Sequence, residues 1–254
     1  MEFISSVNNE NVKRAASLSE KKYRRYYGTF LVEGYKLINE VVCGAMELEN
    51  LYIESSCLTK YSDIVSRCEP NVFVLSRPAF DKISDTVSSQ GIIAEVKMRP
   101  SLDFNITEPI LVLDRISDPG NLGTIIRTAA ATGFHDIVLL DCTDPYNPKT
   151  VRSSSGGIFY TDFYFLSPDE LYEECKRKGT KIYVTDMGGE NIFKMQNIDE
   201  KFALVIGNEG GGVSEKLEGL SSRTIALPMK SQMESLNAGV SASVIMYLLK
   251  KDEL

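Results

Sequence analysis

The sequence predicts an α/β protein in which a small α+β domain precedes a domain built on a mostly parallel sheet. The chain has 254 residues, a natural length for two domains. Short strands and helices mix without regular order up to residue 97, whereas apolar strands alternate with helices from Ile110 onwards. The stretch 99–109 is polar and contains two prolines. We therefore expect an auxiliary domain over residues 1–99 and a second domain over residues 108–254.

The first domain opens with a charged segment of helical texture, from Asn11 to Tyr26, which ends before Gly28. A strand is predicted over 29–33, and a helix from Gly34 to Val42 places its apolar residues on one face. Short apolar runs predict three more strands, at residues 51–53, 72–75 and 92–96.

The second domain contains several continuous apolar runs. They predict strands at residues 110–113, 137–140, 181–185, 202–206 and 224–227. Helices are predicted at residues 122–132, 168–178 and 237–250. Strands that are apolar throughout are typical of a mostly parallel sheet covered on both faces.

The composition excludes several classes of protein. Hydrophobic residues make up 43% and charged residues 25%, unlike a disordered or collagen-like chain. No apolar run approaches the roughly 18 residues of a membrane span, and the N-terminus lacks the pattern of a secretory signal. Five cysteines without CxxC spacing fit a reducing compartment better than a disulfide framework or a zinc site. We expect a cytoplasmic protein that binds neither membrane nor metal.

Positive charge is concentrated near the N-terminus, although the net charge is −7. Residues 1–100 hold 13 basic and 13 acidic residues, so the excess of acid lies in the rest of the chain. Between residues 12 and 27, six basic residues and three tyrosines accompany one acid, Glu20. The basic residues are Lys13, Arg14, Lys21, Lys22, Arg24 and Arg25. Cations pair with phosphates and tyrosine rings stack on unpaired bases, which favours RNA contact; a solvated helix face is the alternative.

A glycine-rich loop, Gly207 to Gly212, directly follows a predicted strand. Open α/β sheets bind ligands at the carboxyl ends of their strands, and glycines bring main-chain donors close to a ligand. The dinucleotide pattern GxGxxG and the phosphate loop ending in GK[ST] are both absent, and Glu209 would repel a pyrophosphate. The sequence of the loop therefore disfavours an NAD enzyme or a kinase. The alternative to a ligand-binding loop is a tight structural turn.

Two polar residues lie on the helix after the first strand of the second domain. Asn121 and Arg127 are six residues apart, which brings them to the same end of the sheet but not onto one face. Asn121 also suits a helix cap. The apolar neighbours of Arg127 predict a buried helix, where an unpaired guanidinium is costly. We therefore expect Arg127 to meet an acid, an anion or a substrate.

The segment Ser235-Leu236-Asn237 opens the final helix, and plain helix capping is the alternative to a functional role. The helix itself is apolar or small nearly all round, which is typical of a helix buried on more than one side. Because one sheet covers only one side, we expect a homodimer.

Three segments of the second domain together resemble the motifs of a known family. They read DPGNLGTIIRTA at 118–129, ALVIGNEGGGVS at 203–214 and IALPMKSQMESLNAGVS at 225–241. In this order and spacing they are similar to those of the SpoU (TrmH-like) ribose 2′-O-methyltransferases of the SPOUT superfamily. Residues 8–40 are similar to the auxiliary RNA-binding domain of one branch, which has an L30-like ribosomal fold.

The resemblance implies a fold, a cofactor and a reaction. Family members thread the C-terminal segment into a trefoil knot, bind S-adenosylmethionine there and methylate a ribose 2′-hydroxyl of RNA as homodimers. Motif position implies cofactor contacts for Gly207, Leu227 and Leu236. The resemblance implies that Arg127 acts on the hydroxyl; because a guanidinium is a very poor base, we expect Arg127 to position the target nucleotide and polarise its hydroxyl. The other polar site residues that it implies are Asn121, Glu209, Ser235 and Asn237.

A further segment after Pro148, containing Lys149 and Arg152, is similar to the family's substrate-side loop, with a flexible polar loop as the alternative. The resemblance favours large-subunit 23S-type rRNA as the substrate, because the branch with this N-terminal domain includes such enzymes. A tRNA 2′-O-methyltransferase is the first alternative. The second is a catalytically inactive RNA-binding protein of ribosome assembly, which would be expected to have lost some of the polar motif residues.

Overall fold

The computed structural model describes residues 1–68, 71–99, 106–230 and 236–253. The chain forms two compact units, residues 1–99 with 146–159, and residues 100–145 with 160–254. The predicted domains placed residues 146–159 in the second domain, whereas in the structure they pack with the first. The reason is packing: the rings of Tyr146 and Phe30 lie 4.8 Å apart, and Arg152 pairs with Asp85.

The first unit is an α+β domain with a mixed five-stranded sheet in the order β1-β4-β3-β5-β2. Its strands are β1 (Glu2–Ile4), β2 (Thr29–Glu33), β3 (Leu48–Glu54), β4 (Asn71–Leu75) and β5 (Ile92–Lys97). Strand β5 runs antiparallel to both of its neighbours, whereas β1, β4 and β3 are parallel. Buried apolar side chains from the sheet and the first helix form the core of the unit.

The helices of the first unit are short. Those among the described residues of 1–99 are α1 (Glu10–Ser17), α2 (Lys21–Tyr27), α3 (Tyr35–Glu40), α4 (Ser62–Arg67) and α5 (Arg77–Asp81). The one helix predicted from Asn11 to Tyr26 is therefore two. Helix α2 ends where Gly28 adopts a left-handed conformation with φ of 65°, which glycine accommodates without steric cost.

The second unit contains a six-stranded sheet in the order β11-β9-β10-β6-β7-β8, and all of its neighbouring strands are parallel. The strands are β6 (Ile110–Asp114), β7 (Asp136–Leu140), β8 (Asp162–Phe165), β9 (Lys181–Asn191), β10 (Phe202–Ile206) and β11 (Arg223–Ala226). Strands β6, β7 and β10 are buried along their whole length, which explains their continuous apolar sequence. The predicted α/β fold with a mostly parallel sheet is confirmed.

Four helices belong to the second unit among its described residues. They are α6 (Pro119–Thr132), α8 (Pro168–Lys178), α9 (Glu215–Glu218) and α10 (Ala238–Leu249). Asp118 caps α6 by accepting a hydrogen bond from the Asn121 amide at 2.9 Å, and Pro119 supplies the favoured first residue. Ser167 and Glu170 form a capping box at the start of α8.

The segment after Asn147 is a helix, α7 (Pro148–Ser154), and not the flexible polar loop considered from sequence. The Asn147 side chain caps it by accepting a hydrogen bond from the Lys149 amide at 2.9 Å. Val151 is buried on its inner face, so packing stabilises a helix too short to persist alone.

No helix among the described residues is long and apolar enough to cross a membrane. The implied trefoil knot involves the segment between β11 and α10. Part of that segment, residues 231–235, lies outside the described residues, so the knot stays a prediction.

Candidate active site at the carboxyl edge of the parallel sheet

The glycine-rich loop leaves β10 and turns back on itself at once. Asn208 and Gly212 exchange two main-chain hydrogen bonds of 3.0 Å, which close the loop. A Cβ atom at Gly207 would lie 2.2 Å from the carbonyl carbon of Gly212, so no other residue fits there. The glycine at position 207 is thus required by a close approach of backbone to backbone, whereas Gly212 adopts a left-handed conformation with φ of 62°.

The loop is attached to the neighbouring strand β6 by two residues that sequence reasoning missed. The Asn208 side chain donates to the Arg115 carbonyl at 2.7 Å and accepts from the Gly210 amide at 2.8 Å. The carboxylate of buried Asp114 accepts from the Ser214 amide at 2.8 Å. Polar residues directly after a buried strand were the available signal, but their partners lie about a hundred residues away.

Three of the predicted site residues form one hydrogen-bonded chain. The Asn237 side-chain amide donates to the Asn121 side-chain oxygen at 2.8 Å. The Asn121 side-chain amide donates in turn to a carboxylate oxygen of Glu209. Asn237 also caps α10 by accepting from the Val240 amide at 3.2 Å, so its capping and site roles coexist. The three motifs therefore meet at this edge, and Glu209 remains exposed to solvent.

A cavity of about 360 Å³ lies beside this chain, in the size range of small-molecule sites. Its walls come from the middle of β9, the carboxyl ends of β10 and β11, the glycine-rich loop and one face of α10. The three residues predicted to bind the cofactor, Gly207, Leu227 and Leu236, all line it.

The charged residues that line the cavity within the described part of the chain are acids. They are Asp186, Glu209 and Glu218, and apolar side chains such as Leu227 and Ile225 supply much of the remaining wall. An acidic, partly apolar cavity disfavours a phosphate and favours a ligand that combines positive charge with an apolar body. Asp186 and Glu218 were not predicted, because their places in the sequence carry no motif.

Helices α6 and α10 pack closely because small residues face each other. A Cβ at Gly239 would lie 3.2 Å from the Thr124 Cβ, and the hydroxyls of Thr128 and Ser243 are 2.8 Å apart. This contact sets the distance between Asn121 and Asn237, each at the start of its helix. The small residues on α10 thus serve packing within the chain.

Arg127 lies further along α6 and is exposed, whereas the sequence predicted burial. The apolar neighbours that led to this prediction occupy the opposite, buried face of α6. Arg127 is not among the residues that line the cavity in the described part of the chain. Ser235 lies outside the described residues.

The thiol of Cys142, which follows β7, does not have the character of a nucleophile. It accepts a hydrogen bond from the Ile116 amide at 3.3 Å. Burial raises the pKa of this thiol to about 11. Cys142 is therefore protonated at neutral pH, which disfavours thiolate chemistry at this place.

Two of the basic residues predicted to bind RNA are used inside the first unit. The Arg24 guanidinium is 2% exposed and donates to the carbonyls of Leu18 and Ser19 at 2.7 and 2.8 Å. Arg14 pairs with buried Glu95 at 2.7 Å. Arg24 was predicted to contact RNA, but its side chain is buried inside the unit. Arg14 has a structural partner in Glu95. The sequence pattern does not reveal these acceptors.

The other basic residues of the prediction stay at the surface. Lys13, Lys21, Lys22 and Arg25 are exposed. Lys22 lies 3.1 Å from Glu20. Arg152 is half-buried on α7 and pairs with Asp85 of the same unit. The exposed cationic surface near the N-terminus is therefore smaller than the sequence suggested.

Comparison with known proteins agrees with the geometry of both units. A model described as the SpoU rRNA Methylase family matches residues 108–247, and one described as an MRM3-like substrate binding domain matches residues 9–94. The chain belongs to the SpoU rRNA methylase family. The family match covers every motif of the site, from Asn121 through Glu209 to Asn237.

Two curated relatives of this SpoU chain extend over nearly its whole length. It is 33% identical to the 23S rRNA (guanosine(2553)-2′-O)-methyltransferase RlmP of Bacillus subtilis, over 98% of this chain and 100% of that protein. It is 29% identical to a 23S rRNA (uridine(2479)-2′-O)-methyltransferase of Streptomyces viridochromogenes, over 96% and 90% of the two chains.

A solved structure is similar in both units. The SpoU methyltransferase AviRb from Streptomyces viridochromogenes, in complex with the cofactor AdoMet, superposes with a TM-score of 0.87 at 26% identity. The similarity covers 97% of this chain and 98% of that chain. The two-unit fold of this SpoU chain is therefore shared with a cofactor-bound relative.

Proposed function

We propose that this chain transfers a methyl group from S-adenosylmethionine to a ribose 2′-hydroxyl of large-subunit ribosomal RNA. The observation that carries the proposal is the acidic cavity beside the hydrogen-bonded chain of Asn237, Asn121 and Glu209. A binding site and a set of polar groups for a hydroxyl thus lie at the same sheet edge.

The cavity fits the cofactor in size and in charge. S-adenosylmethionine carries a sulfonium and an amino group, which Asp186, Glu209 and Glu218 favour electrostatically. The backbone of Gly207 and the side chains of Leu227 and Leu236 supply main-chain groups and apolar surface for its adenosine part. When bound, the cofactor supplies a methyl group activated by a positively charged sulfur.

The residues of the protein must orient the ribose 2′-hydroxyl and stabilise the charge that develops on it. Glu209 is exposed and held by Asn121, so one carboxylate oxygen is oriented and the group remains reachable by a ribose. Arg127 is a poor base, because a guanidinium keeps its proton at neutral pH. We assign Arg127 to positioning the target nucleotide from the RNA side, and Ser235 with Asn237 to ordering the cofactor loop.

Assembly as a homodimer is part of the proposal. Helix α10 keeps apolar side chains at the surface of one chain, with Val240 49% and Tyr247 51% exposed. A second copy would cover them by two-fold pairing, the commonest solution for such a surface. Light scattering should give twice the chain mass of 28.3 kDa, and a monomer at micromolar concentration would contradict this part.

Large-subunit rRNA is favoured over tRNA because two relatives that match almost the whole chain are named 23S rRNA methyltransferases. The inactive assembly protein is disfavoured because Asn121, Arg127, Glu209 and Asn237 are all present.

The decisive experiment compares ribosomal and transfer RNA from wild-type and deletion cells by mass spectrometry. One 2′-O-methyl group should disappear from large-subunit rRNA. It should return with the wild-type gene but not with Arg127→Ala. Loss of a methyl group from tRNA alone would overturn the substrate, and no loss from either RNA would overturn the activity.

A further inference from the structure

Two adjacent tyrosines form an exposed ring pair at the end of α2. The ring centroids of Tyr26 and Tyr27 are 4.9 Å apart, with an angle of 83° between the planes. Tyr26 is 78% exposed and Tyr27 is 37% exposed. Isolated exposed aromatics are common on proteins, but this pair has a specific support beneath it.

The support is a cation anchored in the core of the first unit. The guanidinium carbon of Arg14 lies 4.8 Å from the centroid of the Tyr27 ring. The same guanidinium donates to Glu95 at 2.7 Å, and Glu95 is fully buried. A cation over a ring face attracts it, so Tyr27 rests on a group that cannot move freely.

Glu95 is itself held on all sides. Its carboxylate accepts from the Thr29 hydroxyl at 2.8 Å, the Asn50 amide at 2.7 Å and the Tyr52 hydroxyl at 3.0 Å. Burial by itself would lower the pKa of Arg14, but the hydrogen bond and charge of Glu95 raise it above its ordinary value. The ring pair is therefore connected to the core through the ion pair of Arg14 and Glu95.

Three exposed cations lie on the same helix as the ring pair. Lys22 and Tyr26 are four residues apart and share the face of α2 opposite the buried Arg24. Lys21 and Arg25 are also exposed. This surface is complementary to a phosphate backbone that carries accessible aromatic bases. RNA duplexes keep their bases stacked inside, so the complementary form is single-stranded.

We propose that Tyr26 and Tyr27 form a stacking platform for an unpaired base of the substrate RNA, held in place by Arg14 and Glu95. Lys21, Lys22 and Arg25 bind the phosphates on either side of that base. The proposal rests on the proposed function, because it identifies the partner as the RNA that the second unit modifies.

The test uses the absence of tryptophan from the sequence. In the full chain, Tyr26→Trp introduces the only tryptophan, whose fluorescence can be excited separately from that of the tyrosines. Single-stranded oligouridylate should quench its fluorescence, and duplex RNA of the same length should quench it much less. Tyr35→Trp is the control, since Tyr35 is 38% exposed in the same unit but its ring stacks on Tyr61 and its hydroxyl donates to Asp63. Equal quenching of the two variants, or none in Tyr26→Trp, would overturn the platform.

Affinity gives a second readout that does not depend on the probe. Tyr26→Ala should weaken binding of oligouridylate roughly 10-fold, whereas Tyr26→Phe should retain it, because stacking needs the ring and not the hydroxyl. Wild-type affinity in Tyr26→Ala would overturn the proposal. S-adenosylmethionine binding should be unchanged in both variants. Because rRNA methylation is assayed separately on the wild-type protein, failure of the platform and failure of the proposed function are distinguished.

Discussion

Each unit of the molecule holds a glutamate that accepts hydrogen bonds from other side chains, and the two glutamates differ in exposure and in number of partners. Glu95 of the first unit is fully buried and accepts hydrogen bonds from Arg14, Thr29, Asn50 and Tyr52. Glu209 of the second unit is exposed on a glycine-rich loop and accepts from Asn121. A saturated buried carboxylate stabilises a fold, whereas an exposed, oriented one remains able to meet a substrate. The contrast predicts that one position controls stability and the other controls activity.

The largest effect is expected for Glu95→Ala. Removing the carboxylate leaves Arg14 and three other donors without their acceptor, which should lower the free energy of unfolding by about 3–5 kcal/mol. Urea denaturation measures this. Glu49→Ala is the matched control, because Glu49 is partly exposed and lies 3.5 Å from the same guanidinium, so its loss should cost less than about 1 kcal/mol. Equal losses would remove the distinction between the two carboxylates of the first unit.

The next effect is expected for Arg127→Ala, which should reduce methyl transfer by about 10²- to 10³-fold through loss of charge stabilisation and positioning. Affinity for S-adenosylmethionine, measured by calorimetry, should stay near wild type. Arg177→Ala provides the control, since Arg177 is an exposed arginine of α8 paired with Glu174. A large loss of cofactor affinity in folded Arg127→Ala protein would move this residue to the cofactor side.

Glu209→Ala tests the expected role of the glutamate in the second unit, which is activity and not stability. The free energy of unfolding should change by no more than about 0.5 kcal/mol, as for an ordinary surface residue. Methyl transfer should fall about 10- to 100-fold, because Asn121 and the ribose lose a charged hydrogen-bond partner. A stability loss as large as that of Glu95→Ala, with activity retained, would reverse the assignment of the two glutamates.

The smallest effect per residue is expected on the basic segment. Changing Lys21, Lys22 and Arg25 to glutamate should weaken RNA binding and flatten its dependence on log salt concentration by about one unit for each lost phosphate contact. Arg24→Ala should instead lower stability, because the carbonyls of Leu18 and Ser19 lose their buried donor. A salt dependence altered by Arg24→Ala alone would contradict the division between surface and internal cations.

Local pattern was sufficient for much of the second unit. The helix predicted at 168–178 and the strand predicted at 202–206 have those bounds in the structure. Both have strong local signals, a capping box with a following glycine in one case and an uninterrupted apolar run in the other. The short strands β1 and β8 were not predicted from the sequence.

The sequence by itself determined the alternation of strands and helices, the position of the glycine-rich loop and the set of polar motif residues. Each of these depends on residues close together in the chain, or on motifs whose spacing is characteristic. Only the tertiary structure decided which basic residues are internal. Arg14 and its acceptor Glu95 are 81 residues apart, and Asn121 and Asn237 are 116 apart. Charge patterning reports how many cations a segment has, but burial and pairing depend on the acceptors that folding brings to them.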